Sequence, residues 1–469
     1  MDQSLNRALA GSRTVAERID PLLHAAAATR LVDRIKPADT PPVERATARS
    51  KKALPARPQS GIALGIWRWR RSWRRWRRTR RLVLVAVCVL MLPVVWSYGR
   101  ALTGPGNDSL QARTVEWARD NHFGWAVDRV EKWWFANHQA KIGGAPSIAA
   151  APVVVAEPVV PTTLAAPTAG APAAGVPTAG ASTPTVLPKV AGHLTPPAPL
   201  TSPATPAVPK EGQWTAFGPS VNGAQGAYVT SIRPDGVHTS ILDAVIWIDP
   251  TVLKFRQYPG TKIPGSPWDR PDSVEADRQA QLVAAFAGGF RIQDSHGGII
   301  LGNKTYVSMR DGGATFTIDK NGVPNVGAWG TDVGKSATLD SARQSLDPIV
   351  VDGAVAPDLS SDANRKWGFT GPANKTAVWR SGLGVRADGS IIWVGGDGLT
   401  IVALAETLVR AGAVRGMQLE INREWVQLNT YGVTSDGTVH GRKLLSGMEH
   451  TGDRWLTEDT RDFVAIFAR

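Results

Sequence analysis

The sequence predicts an α+β protein: a mixed β-sheet domain with packed helices, preceded by one transmembrane helix and a disordered stalk. Positive charge is concentrated towards the N terminus, one uncharged apolar run follows it, and strand-like patterns separated by turns begin only after residue 210. Residues 1–210 carry 28 Lys and Arg against 12 Asp and Glu, whereas residues 211–469 carry 25 against 28. The C-terminal part is therefore mildly acidic, and we expect no nucleic-acid partner.

The N-terminal region has the composition of a segment that adjoins a membrane. Residues 1–65 are polar and without sustained periodicity, which predicts a disordered basic tail. In residues 66–81, nine arginines are interleaved with four tryptophans. Guanidinium groups contact lipid phosphates and indole rings lie at headgroup depth, so this juxtamembrane segment is typical of an anionic interface. Cys88 is the single cysteine and lies in the apolar run, so the C-terminal part has no disulfide.

The apolar run Leu82–Tyr98 carries no charge and is just long enough for a spanning helix, through which we expect contact with the lipid bilayer. The arginines precede it, and the positive-inside rule therefore predicts a single-pass membrane protein. Its N terminus would be cytoplasmic and its C-terminal domain extracytoplasmic. A cleaved signal peptide is the alternative, but it requires a short basic head, and Gly99-Arg100-Ala101 is a poor cleavage site.

Two further segments separate this run from the C-terminal domain. Residues 107–140 combine charges with large apolar residues at intervals of three to four, which predicts a tryptophan-rich amphipathic helix. This helix could pack on the C-terminal domain or lie on the outer face of the membrane. Residues 143–210 are rich in Ala, Pro, Val and Thr, which predicts an extended stalk without a core. Residues 211–469 then form the domain.

The domain begins with strand-like patterns bounded by Pro, Gly, Asn-Gly and Asp-Gly turns. We predict strands over AYVTSIRP, SILDAVIWIDP and LKFRQY, and hairpins over TYVSM, ATFTIDKNG and PNVGAWG. Residues 274–290 (VEADRQAQLVAAFAGGF) predict a helix that ends in a glycine turn.

LGVRADGSIIWVGGDG (383–398) predicts a hairpin-like pair of strands around Asp388-Gly389. With the helix and strand that follow, up to residue 422, it predicts a strand–helix–strand unit. The helix LTIVALAETLVRAG presents an apolar face, and Gly412 is its predicted C-cap. A crossover of this kind usually makes its two strands parallel. Asp397 then lies at the end of the first strand and Glu420 near the end of the second, at the sheet edge where ligands bind in open α/β sheets.

Four blocks in order resemble the phosphodiester glycosidase family, over about residues 225–469. The blocks are AAFAGGF (284–290), DPIVVDGAVAP (347–357), WRSGLGVRADGSIIWVGGDG (379–398) and LTIVALAETLVRAGAVRGMQLEIN (399–422). The anchor, tryptophan-rich helix and stalk are similar to the bacterial envelope branch of that family. Two positions depart from its pattern: Ala287 replaces an asparagine, and residues 420–425 replace a glycine-rich loop.

The resemblance implies a set of site residues. Cleavage of a sugar from a phosphodiester needs a cation for the phosphate, an acid or base, and a second carboxylate at the anomeric carbon. Arg380 would bind the phosphate, and Asp397 and Glu420 would be the carboxylate pair. The remaining substrate-binding candidates are Gly288, Gly289 and Phe290 in the pocket floor, with Asn422, Glu424, Asp294 and His296 nearby in sequence. No histidine pair has metal-ligand spacing, and we predict neither metal nor cofactor.

Each of the principal residues also has a purely structural interpretation. Asp397 could be a turn aspartate or a helix cap, and Glu420 could pair with a core arginine. Arg380 could be structural beside Trp379, and His296 could be a solvated loop residue.

Three functions remain open at this stage. The first is an envelope glycosidase that acts on a sugar–phosphate linkage of a cell-wall glycan or glycolipid. The second is a non-catalytic envelope-binding module on the same fold, which the two departures from the family pattern would favour. The third is a cytoplasmic partner-binding role of the basic tail.

Overall fold

The computed structural model describes residues 61–104, 106, 108–146, 151–152, 192–265, 268, 270–302, 304–359, 366–368, 376–421 and 423–469. The predicted tail up to residue 60, most of the predicted stalk and the site candidate Asn422 lie outside this set. The chain divides into two compact units, Met1–Val89 and Leu90–Arg469.

A long helix, α1 (Gly61–Leu102), begins in the first unit and ends in the second. Its segment Thr79–Leu102 is long and apolar enough to cross a membrane, and it contains the predicted run Leu82–Tyr98. Arginines precede this segment in the same helix. One apolar helix near the N terminus thus fits a single-pass membrane anchor.

The tryptophan-rich segment forms two helices where the sequence predicted one: α2 (Leu110–Asp120) and α3 (Gly124–Asn137). The break has a local cause. The Asn121 side chain donates to the Trp117 carbonyl (2.8 Å), and His122 adopts a left-handed conformation with φ of 68°. Arg119 of α2 pairs with Asp128 (3.2 Å) and with Glu131 (2.8 Å) of α3. We call this unit, residues 110–137, the helical hairpin.

The remainder of the second unit is predominantly β, so the predicted α+β class holds only roughly. The largest sheet has the strand order β1-β4-β5-β16-β15-β17-β13-β14, with every neighbouring pair antiparallel. Its strands are β1 (Thr215–Ala216), β4 (Ala227–Ile232), β5 (Asp243–Ile248), β13 (Pro348–Val351), β14 (Ala354–Val355), β15 (Val378–Arg386), β16 (Ile391–Leu399) and β17 (Ala413–Ile421).

Two five-stranded sheets complete the domain, with orders β11-β10-β12-β8-β9 and β19-β18-β7-β20-β6. Their strands are β6 (Leu253–Tyr258), β7 (Leu282–Ala287), β8 (Ile299–Leu301), β9 (Lys304–Val307), β10 (Ala314–Asp319), β11 (Pro324–Ala328), β12 (Leu339–Gln344), β18 (Leu428–Val433), β19 (Val439–Lys443) and β20 (Phe463–Ala468). The short strands β2 (Ser220–Val221) and β3 (Ala224–Gln225) form a separate hairpin.

The main core lies where the three sheets meet. Ile246 and Trp393 of the large sheet pack in one cluster with Phe316 of the second sheet and Phe286 of the third. The one-turn helix α4 (Ile292–Ser295) follows β7. On the large sheet, the helix α5 (Ile401–Arg410) buries Leu404 and Leu408 completely. This burial holds the strands that carry the predicted site residues.

Local turn chemistry predicted several elements correctly. The three N-terminal strands form as expected, and the β10–β11 and β15–β16 hairpins turn at Asn321-Gly322 and Asp388-Gly389. Thr400 caps α5 by accepting a hydrogen bond from the Ala403 N–H (3.0 Å), and Gly412 follows its end with φ of 90°. β16 and β17 are parallel, as predicted, but β15 lies between them and is antiparallel to both.

The predicted helix over residues 274–290 is wrong. A single turn of 3-10 helix, Gln279–Gln281, leads into the strand β7, and all six residues of β7 are buried. β7 pairs with β18 and β20 at its two edges, and the burial of all six residues shows that both of its faces are covered. A strand buried on both faces is a continuous apolar run, which sequence periodicity cannot distinguish from a helix.

The predicted stalk also ends earlier than residue 210. Leu194, Leu200 and Ala204 are buried, and the Leu194 N–H donates to Asp249 Oδ2 (2.6 Å). These apolar side chains pack against the domain, so residues 192–210 belong to its packed part rather than to a linker.

Candidate active site

A cleft of about 1900 Å³ lies between the helical hairpin and the β domain. Its β-domain walls come from the ends of β16 and β17, the turn after β7 and the segment before β20. These walls include Phe290, Arg291, Trp379, Asp397, Glu420, Arg423, Trp425 and Arg461. The parallel arrangement of β16 and β17 brings Asp397 and Glu420 to the same end of the sheet.

Asp397 is accessible from the cleft at the end of β16. Its Oδ1 accepts a hydrogen bond from the Gly398 N–H (2.8 Å), and Trp379 is a further side-chain donor. Partial burial by the cleft walls raises the pKa of the Asp397 carboxyl, against the opposing effects of these donors and of Arg423.

Directly behind Asp397 lies a second carboxyl, Asp243, which is fully buried at the start of β5. Neither of its oxygens has a hydrogen-bond partner among the described residues. Burial and the neighbouring Asp397 raise its pKa well above the ordinary value. The absence of a side chain at Gly396 makes room for it, since a Cβ there would lie 2.0 Å from Asp243 Oδ1.

Glu420 lies on the cleft floor near the end of β17 and is 2% exposed. Its Oε1 accepts a hydrogen bond from Arg461 Nη2 at 2.6 Å. Burial raises the pKa of Glu420 to about 7, because the cost of desolvating the carboxylate exceeds the attraction of Arg461 and Arg343. Glu420 can therefore either hold or release a proton near neutral pH.

Arg461 is the cation at this floor. Its Nη2 also donates to the Gly289 carbonyl (3.0 Å), and its guanidinium carbon lies 4.1 Å from the centroid of the Trp425 ring. Nε and Nη1 make no hydrogen bond to any described residue, and the side chain lines the cleft. Arg461 can therefore bind an anion while it remains paired with Glu420.

The turn Gly288–Phe290 forms another part of the floor and is held from below. The Gly288 N–H donates to the Asp462 carbonyl (3.0 Å), and a Cβ on Gly288 would lie 2.3 Å from Asp462 Oδ2. Gly289 has φ of 135°, which favours glycine. Arg343, fully buried, pairs with Asp462 (2.7 Å) and donates to the Phe290 carbonyl (2.5 Å). The close approach of Asp462 explains the glycine at 288.

Arg380 lies behind the cleft rather than in it. The side chain is fully buried; its Nε donates to the Leu399 carbonyl (2.9 Å) and its Nη1 to Gln418 Oε1 (2.8 Å). Burial lowers the pKa of Arg380 to about 9. Its strand, β15, is enclosed by β16 and β17, so this guanidinium joins the strands to one another.

The four candidates chosen for proximity in sequence are distributed differently. Asp294 borders the cleft but pairs with Arg291 (2.8 Å), while His296 is exposed and does not line it. Glu424 lines the cleft and accepts hydrogen bonds from the Ser109 N–H and hydroxyl, both at 3.0 Å. It therefore fixes the start of α2. Asn422 is not among the described residues.

Sequence reasoning missed Arg461, Arg291 and Glu116. Glu116 comes from α2 and lines the cleft, and its Oε1 is buried without a hydrogen-bond partner among the described residues. Burial raises the pKa of Glu116, with Arg461 opposing that effect. No motif or spacing connects these residues, because they are brought together from distant parts of the chain.

Comparisons with known proteins add the following. Residues 280–420 match the family model described as phosphodiester glycosidase. A comparison with curated proteins gives no match.

Within the described residues, no group of three or more His, Cys, Asp or Glu side chains is arranged to hold a metal ion.

Three solved structures are similar to this chain. The catalytic domain of zebrafish N-acetylglucosamine-1-phosphodiester alpha-N-acetylglucosaminidase, auto-inhibited by its pro-peptide, is 14% identical, with 58% of this chain and 87% of that chain covered and a TM-score of 0.35. A hypothetical protein from Synechocystis is 10% identical, with 53% and 63% covered and a TM-score of 0.34. A Burkholderia pseudomallei protein described as exported is 12% identical, with 48% and 74% covered and a TM-score of 0.28.

The family match includes the turn at Gly288–Phe290, Asp397 at the end of β16, and Glu420 near the end of β17. These are the parts of the β domain that meet at the cleft floor. Over residues 280–420, the domain is thus similar to the phosphodiester glycosidase family.

Proposed function

We propose that this protein is a membrane-anchored phosphodiester glycosidase that hydrolyses a sugar–phosphate linkage in the cell envelope. The observation that carries the proposal is the pairing of Glu420 and Arg461 on the cleft floor. A buried acid with a pKa of about 7 contacts a cation that retains unused donors, and Asp397 lines the same cleft. Acids that titrate near the working pH are characteristic of proton-transfer sites.

The proposed reaction assigns one task to each of these groups. Water adds to the anomeric carbon, the bond from that carbon to the phosphate oxygen breaks, and a free sugar and a phosphate monoester leave. Arg461 binds the phosphate through Nε and Nη1. Glu420 accepts the proton from the attacking water, and Asp397 stabilises the positive charge that develops on the sugar ring.

The proposed orientation places the tail in the cytoplasm and the catalytic domain outside it. The argument is the cluster of arginines that precedes the apolar segment in α1, together with the rule that such clusters remain in the cytoplasm. An outward-facing domain would meet the glycans and glycolipids of the envelope.

A second candidate function is a binding module without catalysis. Glu424, in the segment that replaces the family's glycine loop, is engaged by Ser109, and Ala287 has no polar group where the family has an asparagine. A site that has lost these groups could bind a sugar phosphate without turning it over.

The test uses the full chain in detergent with a series of mass-tagged N-acetylglucosaminyl phosphodiesters. Glu420→Gln and Asp397→Asn should each abolish release of the phosphate monoester. The matched control is Asp277→Asn, since Asp277 is exposed and does not line the cleft. Binding of these esters without turnover by the wild type would instead favour the binding module, and neither binding nor turnover would refute both functions for this substrate class.

A further inference from the structure

We infer that the cleft takes a glycosyl phosphodiester whose phosphate is also esterified to a membrane lipid, and that the helical hairpin receives the lipid chain. This inference rests on the proposed function for the charged floor of the cleft. The inference adds the identity of the second group that is esterified to the phosphate. The side chains of the cleft wall opposite that floor indicate what this group is.

The hairpin wall carries several apolar side chains beside charged ones such as Glu116. Val115 of α2 and Val130 and Trp134 of α3 line the cleft, and Leu110 extends this surface at the start of α2. All four side chains are exposed, Val130 by 64% and Trp134 by 50%. The described residues thus leave apolar surface uncovered beside a floor that carries Glu420 and Arg461, an arrangement suited to a ligand with a charged head and an apolar chain.

The hairpin is also fixed to the end of the membrane-spanning candidate. The Trp117 indole N–H of α2 donates to Ser97 Oγ (3.0 Å), and the Tyr98 hydroxyl hydrogen-bonds with Thr114 Oγ1 (3.0 Å). The rings of Tyr98 and Trp117 meet edge to face with centroids 5.0 Å apart. These contacts hold α2 at the end of α1, where the helix would leave the bilayer.

The outer side of α3 carries aromatic residues typical of a membrane interface. Trp125 is 70% exposed and Trp133 is 61% exposed, and Trp96 is exposed near the end of α1. Indole rings are enriched at headgroup depth, where their apolar body and polar N–H are both accommodated. The occupant that suits both this surface and the apolar side chains of the hairpin wall is therefore membrane lipid rather than a soluble protein.

The hairpin is fixed to the charged floor at both ends of α2. At its start, Ser109 bonds to Glu424, and Asp108 accepts a hydrogen bond from Thr460, the residue before Arg461 (2.6 Å). At its end, Asp120 pairs with Arg291 at 3.5 Å. These contacts would thus keep a lipid chain on the hairpin wall at a constant distance from a phosphate bound to Arg461.

The test compares two esters of N-acetylglucosamine 1-phosphate in the same detergent micelles, one with a polyprenol and one with methanol. The full chain should prefer the polyprenyl ester by at least about tenfold in kcat/KM, because burial of a few methylene groups contributes that much. Val130→Asp should reduce the preference to below about threefold, since it places a charge against the apolar chain. Val323→Asp, at an exposed valine outside the cleft, should leave the preference unchanged.

The outcomes separate the inference from the function on which it rests. Equal hydrolysis of both esters would overturn the lipid assignment and leave the glycosidase standing, whereas hydrolysis of neither would overturn both. Faster hydrolysis of both esters by Val130→Asp would also overturn the inference, because the hairpin would then cover the site rather than build it. Val115→Ser, checked for folding by circular dichroism, repeats the test and should lower the preference in the same direction if Val130→Asp does not fold.

Discussion

Replacing Glu420 with glutamine should make the domain more stable at neutral and alkaline pH while it abolishes hydrolysis. In the folded protein the pKa of this buried carboxyl is about 7, against an ordinary value of 4.5. Between these two pH values the folded state binds more protons than the unfolded state, so the free energy of unfolding falls as the pH rises. Above pH 7 the full cost of burying the ionised Glu420 carboxylate is present. The difference between the two pKa values corresponds to a loss of about 3 kcal/mol in the free energy of unfolding, as an upper estimate. Glutamine carries no charge and avoids this cost.

The assay is thermal unfolding of the detergent-solubilised chain, followed through the near-ultraviolet signal of the buried tryptophans Trp247, Trp393 and Trp455. The Glu420→Gln midpoint should exceed that of the wild type by on the order of 6 °C at about pH 8. At about pH 4 the two midpoints should agree within roughly 1 °C, because Glu420 is then protonated in both states.

The control for this experiment is Glu458→Gln, which removes an exposed acid that water solvates in both the folded and the unfolded state. The unfolding midpoint of Glu458→Gln, relative to that of the wild type, should be the same at both pH values. A Glu420→Gln midpoint equal to or below that of the wild type at about pH 8 would refute the reasoning. In that case the Arg461 ion pair would outweigh the desolvation of the carboxylate.

Three further predictions concern the cation, the floor turn and the arginine behind the cleft. Arg461→Ala should lower kcat/KM by about 100-fold, since a charge-assisted hydrogen bond to the phosphate is lost; steady-state kinetics near wild-type values would contradict this. Gly288→Ala should destabilise the domain by about 3 kcal/mol in urea unfolding, because its Cβ would lie 2.3 Å from Asp462 Oδ2. The control for this variant is Gly334→Ala, which has open space around its Cβ and should lower the free energy of unfolding by less than about 0.5 kcal/mol. Arg380→Met should reduce stability but leave the KM of folded protein within about twofold, and a large rise in KM at unchanged stability would instead place the phosphate on Arg380.

Local signals in the sequence predicted the elements that short stretches of chain determine. The Asn321-Gly322 and Asp388-Gly389 turns define two hairpins, and the capping residues Thr400 and Gly412 bracket α5. The order strand, helix, strand also made β16 and β17 parallel, which brings Asp397 and Glu420 to one end of the sheet. Each of these depends on the conformational preferences of neighbouring residues or on the handedness and reach of one connection.

Elements that depend on long-range burial were not predictable in this way. β7 is a strand because β18 and β20 pair with its two edges and both of its faces are buried, although its own residues suit a helix equally well. The match to the phosphodiester glycosidase family model covers residues 280–420, which include Asp397 and Glu420, but it does not extend to the helical hairpin.

The sequence by itself determined the apolar anchor segment, the hairpin turns and the pair of acids at one sheet edge. Only the tertiary structure decided which groups surround those acids. It places Arg461 on Glu420, although 41 residues separate them, and it brings Glu116 of α2 to the same cleft while it encloses Arg380 behind it. The reason is physical: the raised pKa of Glu420 comes from desolvation by side chains of several distant segments, and no local pattern encodes which segments will surround a group after folding.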